Sequence, residues 1–239
     1  MRENYLTDKK YRKFGDMARY FVTRAIIEFS ESVSDGKKIL DVGAGEAPYR
    51  DLFKNCEYHT LDLGVGESEW DYSALTYQAS VYDMPIENNT YDYVLCSQLF
   101  EHLAEPKQAM NEVYRVLKSG GELFLTVPFH QNEHQTPHDY YRFTSFGLNY
   151  LLEQSGFLNV EIKRMGGRYT RWAIEVPNLG SFLPKLRRNG KLQWLGVALI
   201  PVKIIVKALT LPIQIFFLTI DKFDNKQNDT FNWTVKARK

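Results

Sequence analysis

The chain has 239 residues, enough for one sizeable core with an appendage. Its 30 Lys plus Arg against 29 Asp plus Glu leave no overall field that would select nucleic acid as a partner. Two cysteines, Cys56 and Cys96, stand in no paired ligand spacing, so neither a disulfide framework nor a zinc site is expected, and a reducing cytoplasm is the natural compartment.

Residues 1–10 are charged and lack the apolar segment of a signal peptide. Residues 8–31 have helical spacing, with Ala18, Phe21, Val22, Ala25, Ile26 and Phe29 on one stripe that should pack on a sheet. Residues 38–49 then read as a buried strand, a tight turn and a helix start, with Gly43 and Gly45 letting the backbone bend sharply and approach a ligand. By themselves these glycines suit an ordinary strand-to-helix turn equally well. Two acids add weight to the ligand reading: Asp41 at the strand end, and Asp62 roughly 20 residues further on, closing the next apolar run where an acid can accept ribose hydroxyls.

Asp41-x-Gly43-x-Gly45 followed by Asp62 resembles the class I S-adenosylmethionine-dependent methyltransferases, in particular the small-molecule group with a Leu-Asp-Val-Gly-x-Gly signature. Matching segments cover residues 35–165. Ala47 stands where a third glycine is common, a mild departure. The nicotinamide pattern fits worse, because Pro48 fills its third glycine slot and Asp41 has no place in it. The resemblance implies S-adenosylmethionine as cofactor, with Asp41, Gly43, Ala44 and Gly45 at its methionine end and Asp62 with Leu63 at the ribose. It implies adenine contacts from residues 80–84. Ser80 occupies the usual acidic slot, Val81 lies beside it, and Asp83 either substitutes for the acid or is a solvated turn residue. It also gives Tyr11, Arg12, Lys13 and Phe14 two readings, a lid over the cofactor or a plain surface.

A poorly written strand is expected near residues 77–81 and a central one from Tyr91, delivering Ser97, Gln98 and Leu99 to the ligand side of the sheet. Glu101 and His102 are either catalytic or a helix-opening pair bound to nearby backbone. A helix with Pro106 in its first turn should end at Gly120-Gly121, before a buried strand over residues 123–127. Repeated strand, helix, strand order requires right-handed crossovers and a mostly parallel sheet with helices on both faces.

Residues 128–143 concentrate three histidines, two carboxylates, two tyrosines and an arginine in one loop. Pro128 and Pro137 prevent one helix from presenting His130, His134 and His138 on a face, so no metal is expected. Loops carry function on a rigid scaffold, and this one is the candidate substrate loop, with His134, His138 and Tyr140 as candidate catalytic groups and either histidine as general base. The alternative is a polar loop whose contacts hold its own shape. Thr144 should cap the next helix, Gly156 should end it, and a sixth strand follows over residues 157–162.

Residues 192–220 are the most apolar stretch, broken by Lys203, Lys207, Pro201 and Pro212, which argues against a single crossing of a membrane. With Lys185, Arg187, Arg188 and Lys191 upstream and Trp194 as an anchor, the stretch suits helices lying in a membrane interface. A subdomain packed on the core or on a second copy in a homodimer suits it equally. Residues 230–239 alternate as a seventh, antiparallel edge strand.

The expected architecture is therefore α/β, a Rossmann-like doubly wound seven-stranded sheet with an antiparallel last strand. Residues 1–177 and 229–239 form a methyltransferase domain, and 178–228 an apolar helical insertion. The expected activity is methyl transfer to a small-molecule or lipid-linked acceptor by a cytoplasmic enzyme, peripheral on the inner membrane face if the insertion meets lipid. The alternative is a catalytically silent scaffold of the same fold, associated with membrane or a partner.

Overall fold

Strand-forming runs and amphipathic helices alternate as expected. The computed structural model describes residues 17–66, 70–180, 183–184, 186–188, 191–226 and 228–239, so Tyr11, Arg12, Lys13, Phe14 and Lys185 lie outside the described residues. The strands are β1 (Lys38–Val42), β2 (Glu57–Asp62), β3 (Tyr77–Gln78), β4 (Tyr91–Ser97), β5 (Leu117–Pro128) and β6 (Leu158–Met165), a short hairpin of β7 (Arg187–Arg188) and β8 (Lys191–Leu192), and β9 (Asn232–Arg238). All but the hairpin join one sheet of order β3-β2-β1-β4-β5-β9-β6. The pairings among β1 to β5 are parallel. β9 runs antiparallel to both neighbours.

The last strand corrects one expectation. It is not at the edge but inserts between β5 and β6, so its backbone is bonded on both sides. Trp233, Val235 and Ala237 bury their side chains on the way. The alternation that marks a half-buried strand in sequence cannot distinguish an edge from an interior slot.

Among the described residues six α-helices accompany the sheet: α1 (Met17–Ser32), α2 (Pro106–Val116), α3 (Ser145–Gln154), α4 (Arg168–Glu175), α5 (Trp194–Ala198) and α6 (Ile200–Ile220). On one face Val22, Ile26 and Phe29 of α1 pack on Ile39, Leu95 and Phe124. Phe29 lies flat on Phe124 with 4.4 Å between ring centroids. On the other face Met110 and Val113 of α2 and Leu148 and Leu152 of α3 pack on Leu40, Val94 and Leu123. Thr144 caps α3 by accepting from the Gly147 amide at 3.0 Å. The helix expected to end at Gly120-Gly121 instead stops at Val116. The two glycines sit inside β5, where pairing jumps from Tyr91↔Leu117 to Tyr93↔Glu122, and Gly120 takes a φ of +76°. They mark a bulge and not a helix end.

The apolar stretch holds α5 and then α6, which is continuous through Pro212. Its inward face carries Thr210 and Gln214, both buried, and Gln214 Nε2 donates to the Ala173 carbonyl at 2.9 Å. Phe217 stacks on Tyr169. Its outward face carries Ile204 (63% exposed), Ile205, Leu209 (64%), Ile213 and Phe216 (58%). That is the inverse of a helix lying on a soluble core. The span Ile200–Phe223 is long and apolar enough to cross a membrane by length and composition. Directly after α6, Asp221 accepts from the amides of Gly167, Tyr169 and Thr170 at 2.8–2.9 Å and from the Thr170 hydroxyl at 2.7 Å, capping α4.

At the amino end of the sheet Asp92 accepts from the Lys38 amide at 3.0 Å and pairs with Lys118 at 2.9 Å and Lys37 at 3.4 Å. It ties β1 to β4 and β5. Replacing it, Asp92→Ala, should lower stability by about 2 kcal/mol, as loss of hydrogen bonds to a charged group does, and leave the far end of the sheet unchanged. Chemical denaturation of both proteins checks this, with an equal midpoint as the contrary result.

Candidate functional site

Strand order reverses between β1 and β4, so the loops leaving their carboxyl ends diverge and open a crevice. A cleft of about 1180 Å³ lies there. It exceeds the usual size of a pocket for one drug-sized ligand.

The turn after β1 forms the inner wall. The amides of Gly43 and Ala44 donate to the Leu61 carbonyl at 2.8 and 3.2 Å, folding the turn onto β2. Gly43 has a φ of +73°, and a Cβ there would lie 2.8 Å from a methyl of Leu99. The conformation favours glycine, and a side chain there would also force Leu99 to shift. Ala47 takes a φ of +53°, which explains why a glycine is usual at that place in the resembled signature.

Asp62 holds the turn from below. One of its oxygens accepts from the Gly45 amide at 2.9 Å and the other from the Gly64 amide at 2.8 Å. A carboxylate has about four acceptor sites, so about two remain for hydroxyls of a ligand.

Asp41 is buried at the inner end, 1% exposed, and accepts a short hydrogen bond from the Tyr58 hydroxyl. Burial raises its pKa to about 7 against the opposing effect of that hydrogen bond, with the Asp62 charge adding to the rise. Burial thus keeps part of this carboxyl protonated near neutral pH.

Ser97, Gln98 and Leu99 reach the cleft from β4 as expected. Gln98 has a φ of +53°, and its side-chain amide donates to Thr126 Oγ1 at 3.1 Å and accepts from Asn232 at 3.2 Å. A bulky residue in that conformation at a cleft floor is an observed strain at a candidate site. Leu63, Ser80 and Val81 also line the cleft. Among the described lining residues Asp83 is absent: it is exposed, in a turn whose amide returns to the Ser80 carbonyl at 3.3 Å. Of the two readings of Asp83, the solvated turn residue agrees with this placement, because the turn directs it to solvent near Arg115.

The histidine-rich loop forms the outer wall. The Glu101 carbonyl accepts from the amides of Tyr140 and Tyr141 at 2.8 and 3.2 Å, which draws the loop to the β4 turn. Arg142 clasps Asp139 with two bonds of 2.7 Å, holding the Asp139 carboxyl down at about 2, and Asp139 also accepts from the His134 amide at 2.9 Å. His134, His138 and Tyr140 all line the cleft, with His138 Nδ1 3.4 Å from the Tyr140 hydroxyl. His130 turns away to Asp229 at 3.2 Å. Glu101, fully buried, has its carboxyl pushed up to about 8 by desolvation, and burial lowers the His102 pKa.

Trp70, Phe231 and Asn232 also border the cleft, and sequence reasoning missed them. Phe231 and Asn232 enter the β1–β4 crevice only because β9 inserts beside β5. Trp70 lies over Gly45, 3.2 Å from where its Cβ would be, and no motif signals it.

Residues 40–125 match the family described as "Methyltransferase domain". The ubiquinone biosynthesis O-methyltransferase of Pseudomonas putida is 29% identical over 38% of this chain and 44% of its own length, so the chain matches less than half of that relative. A SAM-dependent methyltransferase from Archaeoglobus fulgidus superposes with a TM-score of 0.57 at 16% identity, covering 99% of both chains. Phosphoethanolamine N-methyltransferase 2 of Haemonchus contortus, solved in complex with S-adenosyl-L-methionine, gives 0.55 at 16% identity over 100% of this chain and 60% of its own. The fold is that of the class I S-adenosylmethionine-dependent methyltransferases.

The raised Asp41 pKa has a stability consequence. The folded state binds the proton more tightly than the unfolded one, so this group costs nothing below about pH 4 and costs progressively more as pH rises towards 7. Asp41→Asn, which keeps an acceptor for Tyr58, should therefore raise the melting temperature at pH 8 more than at pH 5. Thermal melts at both pH values decide, and an equal effect at the two contradicts the assignment.

Proposed function

We propose that this chain is an enzyme that transfers the methyl group of S-adenosylmethionine to a small-molecule acceptor. One observation carries the proposal: Asp62, oriented by two glycine amides at a strand end, keeps acceptor capacity free in a cleft inside the matched methyltransferase region. The remaining donors fit the cofactor. Asp41 offers a carboxyl to an ammonium, Gly43 and Gly45 line the cleft with main chain, and Ser80 and Val81 border the place for a base. When bound, the cofactor supplies an activated methyl on sulfur.

The chain's own residues then align the acceptor and exclude water, which can supply much of the rate for an in-line displacement. A base is needed only for an acceptor that must lose a proton. His134 and His138 stand at the same mouth, and Tyr140 beside His138 orients its ring.

The finer reading is a lipid-linked acceptor. Residues 1–177 and 229–239 act as the catalytic domain, and 178–228 as an insertion whose outward apolar face meets the inner membrane surface from the cytoplasm. A polar inward face and an apolar outward one support a lipid environment, as does Trp194, 79% exposed at the start of the segment.

Titration calorimetry tests the cofactor binding on which the proposal rests. Native protein should bind S-adenosylmethionine, and Asp62→Ala should lose about tenfold or more, the loss expected for hydrogen bonds to a charged acceptor. Absence of binding by the native protein, or full binding by the variant, removes the proposal. For the membrane reading, anionic phospholipid vesicles should sediment the native protein and lose it when Ile205, Leu209 and Phe216 are replaced by Ser. A native protein that ignores vesicles and sediments as a dimer would favour the homodimer reading.

A further inference from the structure

The turn after β4 leaves an unusual set of groups unsatisfied. Both carboxylate oxygens of Glu101 and the Nε2 of His102 are buried without a hydrogen-bond partner. Buried polar groups are nearly always paired, so three orphaned atoms in one place require an explanation. His102 Nδ1 lies 2.6 Å from the His138 carbonyl and therefore donates to it, which leaves a lone pair on Nε2. That lone pair is 3.9 Å from a Glu101 oxygen, too far for the two to satisfy each other directly. His134 packs edge-on to His102 with 4.8 Å between ring centroids. One ligand atom from each of Glu101, His102 and His134 falls within 4.8 Å of the others.

We propose that Glu101, His102 and His134 bind a divalent transition-metal cation such as Zn²⁺ or Mn²⁺. Two imidazoles and one carboxylate suit such an ion, and a three-residue set leaves coordination positions open. Those positions face the cleft, because His102 and His134 both line it.

The surroundings are those of metal ligands. Each imidazole holds a backbone carbonyl with Nδ1, His102 that of His138 and His134 that of Asn132 at 3.1 Å, which fixes the ring and its tautomer. Asp139 neutralises Arg142 with two bonds of 2.7 Å, so the nearest cation does not oppose a second one. His130 and His138, engaged by Asp229 and Tyr140, are not ligands. The regular spacing of four in the sequence is thus not the metal set.

The consequence for chemistry rests on the methyl-transfer reading. A cation there would hold an oxygen acceptor and favour its deprotonated form. With His134 committed to the ion, His138 is the remaining candidate base.

Full-length protein, stripped with a chelator, is titrated with Zn²⁺ by calorimetry and with Co²⁺ by visible absorption. One saturable site per chain is expected, with affinity reduced about tenfold or more in Glu101→Gln, His102→Ala and His134→Ala and the cobalt absorption lost. His134 lies in a surface loop, so its variant keeps the test open if a variant of the buried pair fails to fold. No saturable binding, or binding that survives all three substitutions, overturns the site. S-adenosylmethionine is titrated separately into the stripped protein. Cofactor binding without metal binding overturns the metal site alone, whereas a metal site without cofactor binding supports it and removes the methyl-transfer reading.

Discussion

The cleft depends on the carboxylate of Asp62 receiving the amides of Gly45 and Gly64. Those two bonds join the turn after β1 to the loop after β2, segments that β-pairing alone leaves free to separate beyond the strand ends. Gly43 and Ala44 add a second tie through the Leu61 carbonyl. The glycines are required because the turn folds back with positive φ, with Leu99 closing over it. The strand end of β4 is therefore packed against the same turn that would receive a ligand, and one wall of the cleft positions the other.

Around this frame the protein buries acids where burial is unfavourable. Asp41 and Glu101 both sit almost without exposure, and both are pushed towards the neutral form. Neither helps the fold as ionised groups in water-free surroundings would have to be compensated. Asp41 lines the cleft and keeps one partner, the Tyr58 hydroxyl, whereas both carboxyl oxygens of Glu101 lie buried without a hydrogen-bond partner behind the cleft-lining His102. Asp92, at the opposite end of the sheet, shows the contrast. It has three cationic or amide partners already and is held in the charged form.

Helix α6 and the turn after it are bound to α4 through polar contacts: Asp221 caps α4, and Gln214 reaches the Ala173 carbonyl. A helix attached by its polar residues is free to present its apolar ones outward. The apolar surface so exposed is continuous along several turns, more than isolated surface leucines would produce.

Much of the site was legible in the sequence. Asp41, Gly43, Gly45 and Asp62 stood out because glycine serves a tight turn at a strand end and because the two acids matched the resembled signature, and the structure brings all four to one cleft. Ser97, Gln98, His134 and His138 followed from their places after strands. The sequence also carried the alternation that makes parallel strands and covering helices. Tertiary structure decided the rest, for physical reasons that local patterns do not encode. Asp83 left the site because its turn faces solvent. Phe231 and Asn232 entered it because β9 chose the interior slot, where both of its backbone edges are bonded, and not the sheet edge. Glu101, His102 and His134 came together through two main-chain bonds to the Glu101 carbonyl across about 40 residues of chain. The apolar stretch fixed its own helical character by composition, but only its docking onto α4 determined which side faces outward.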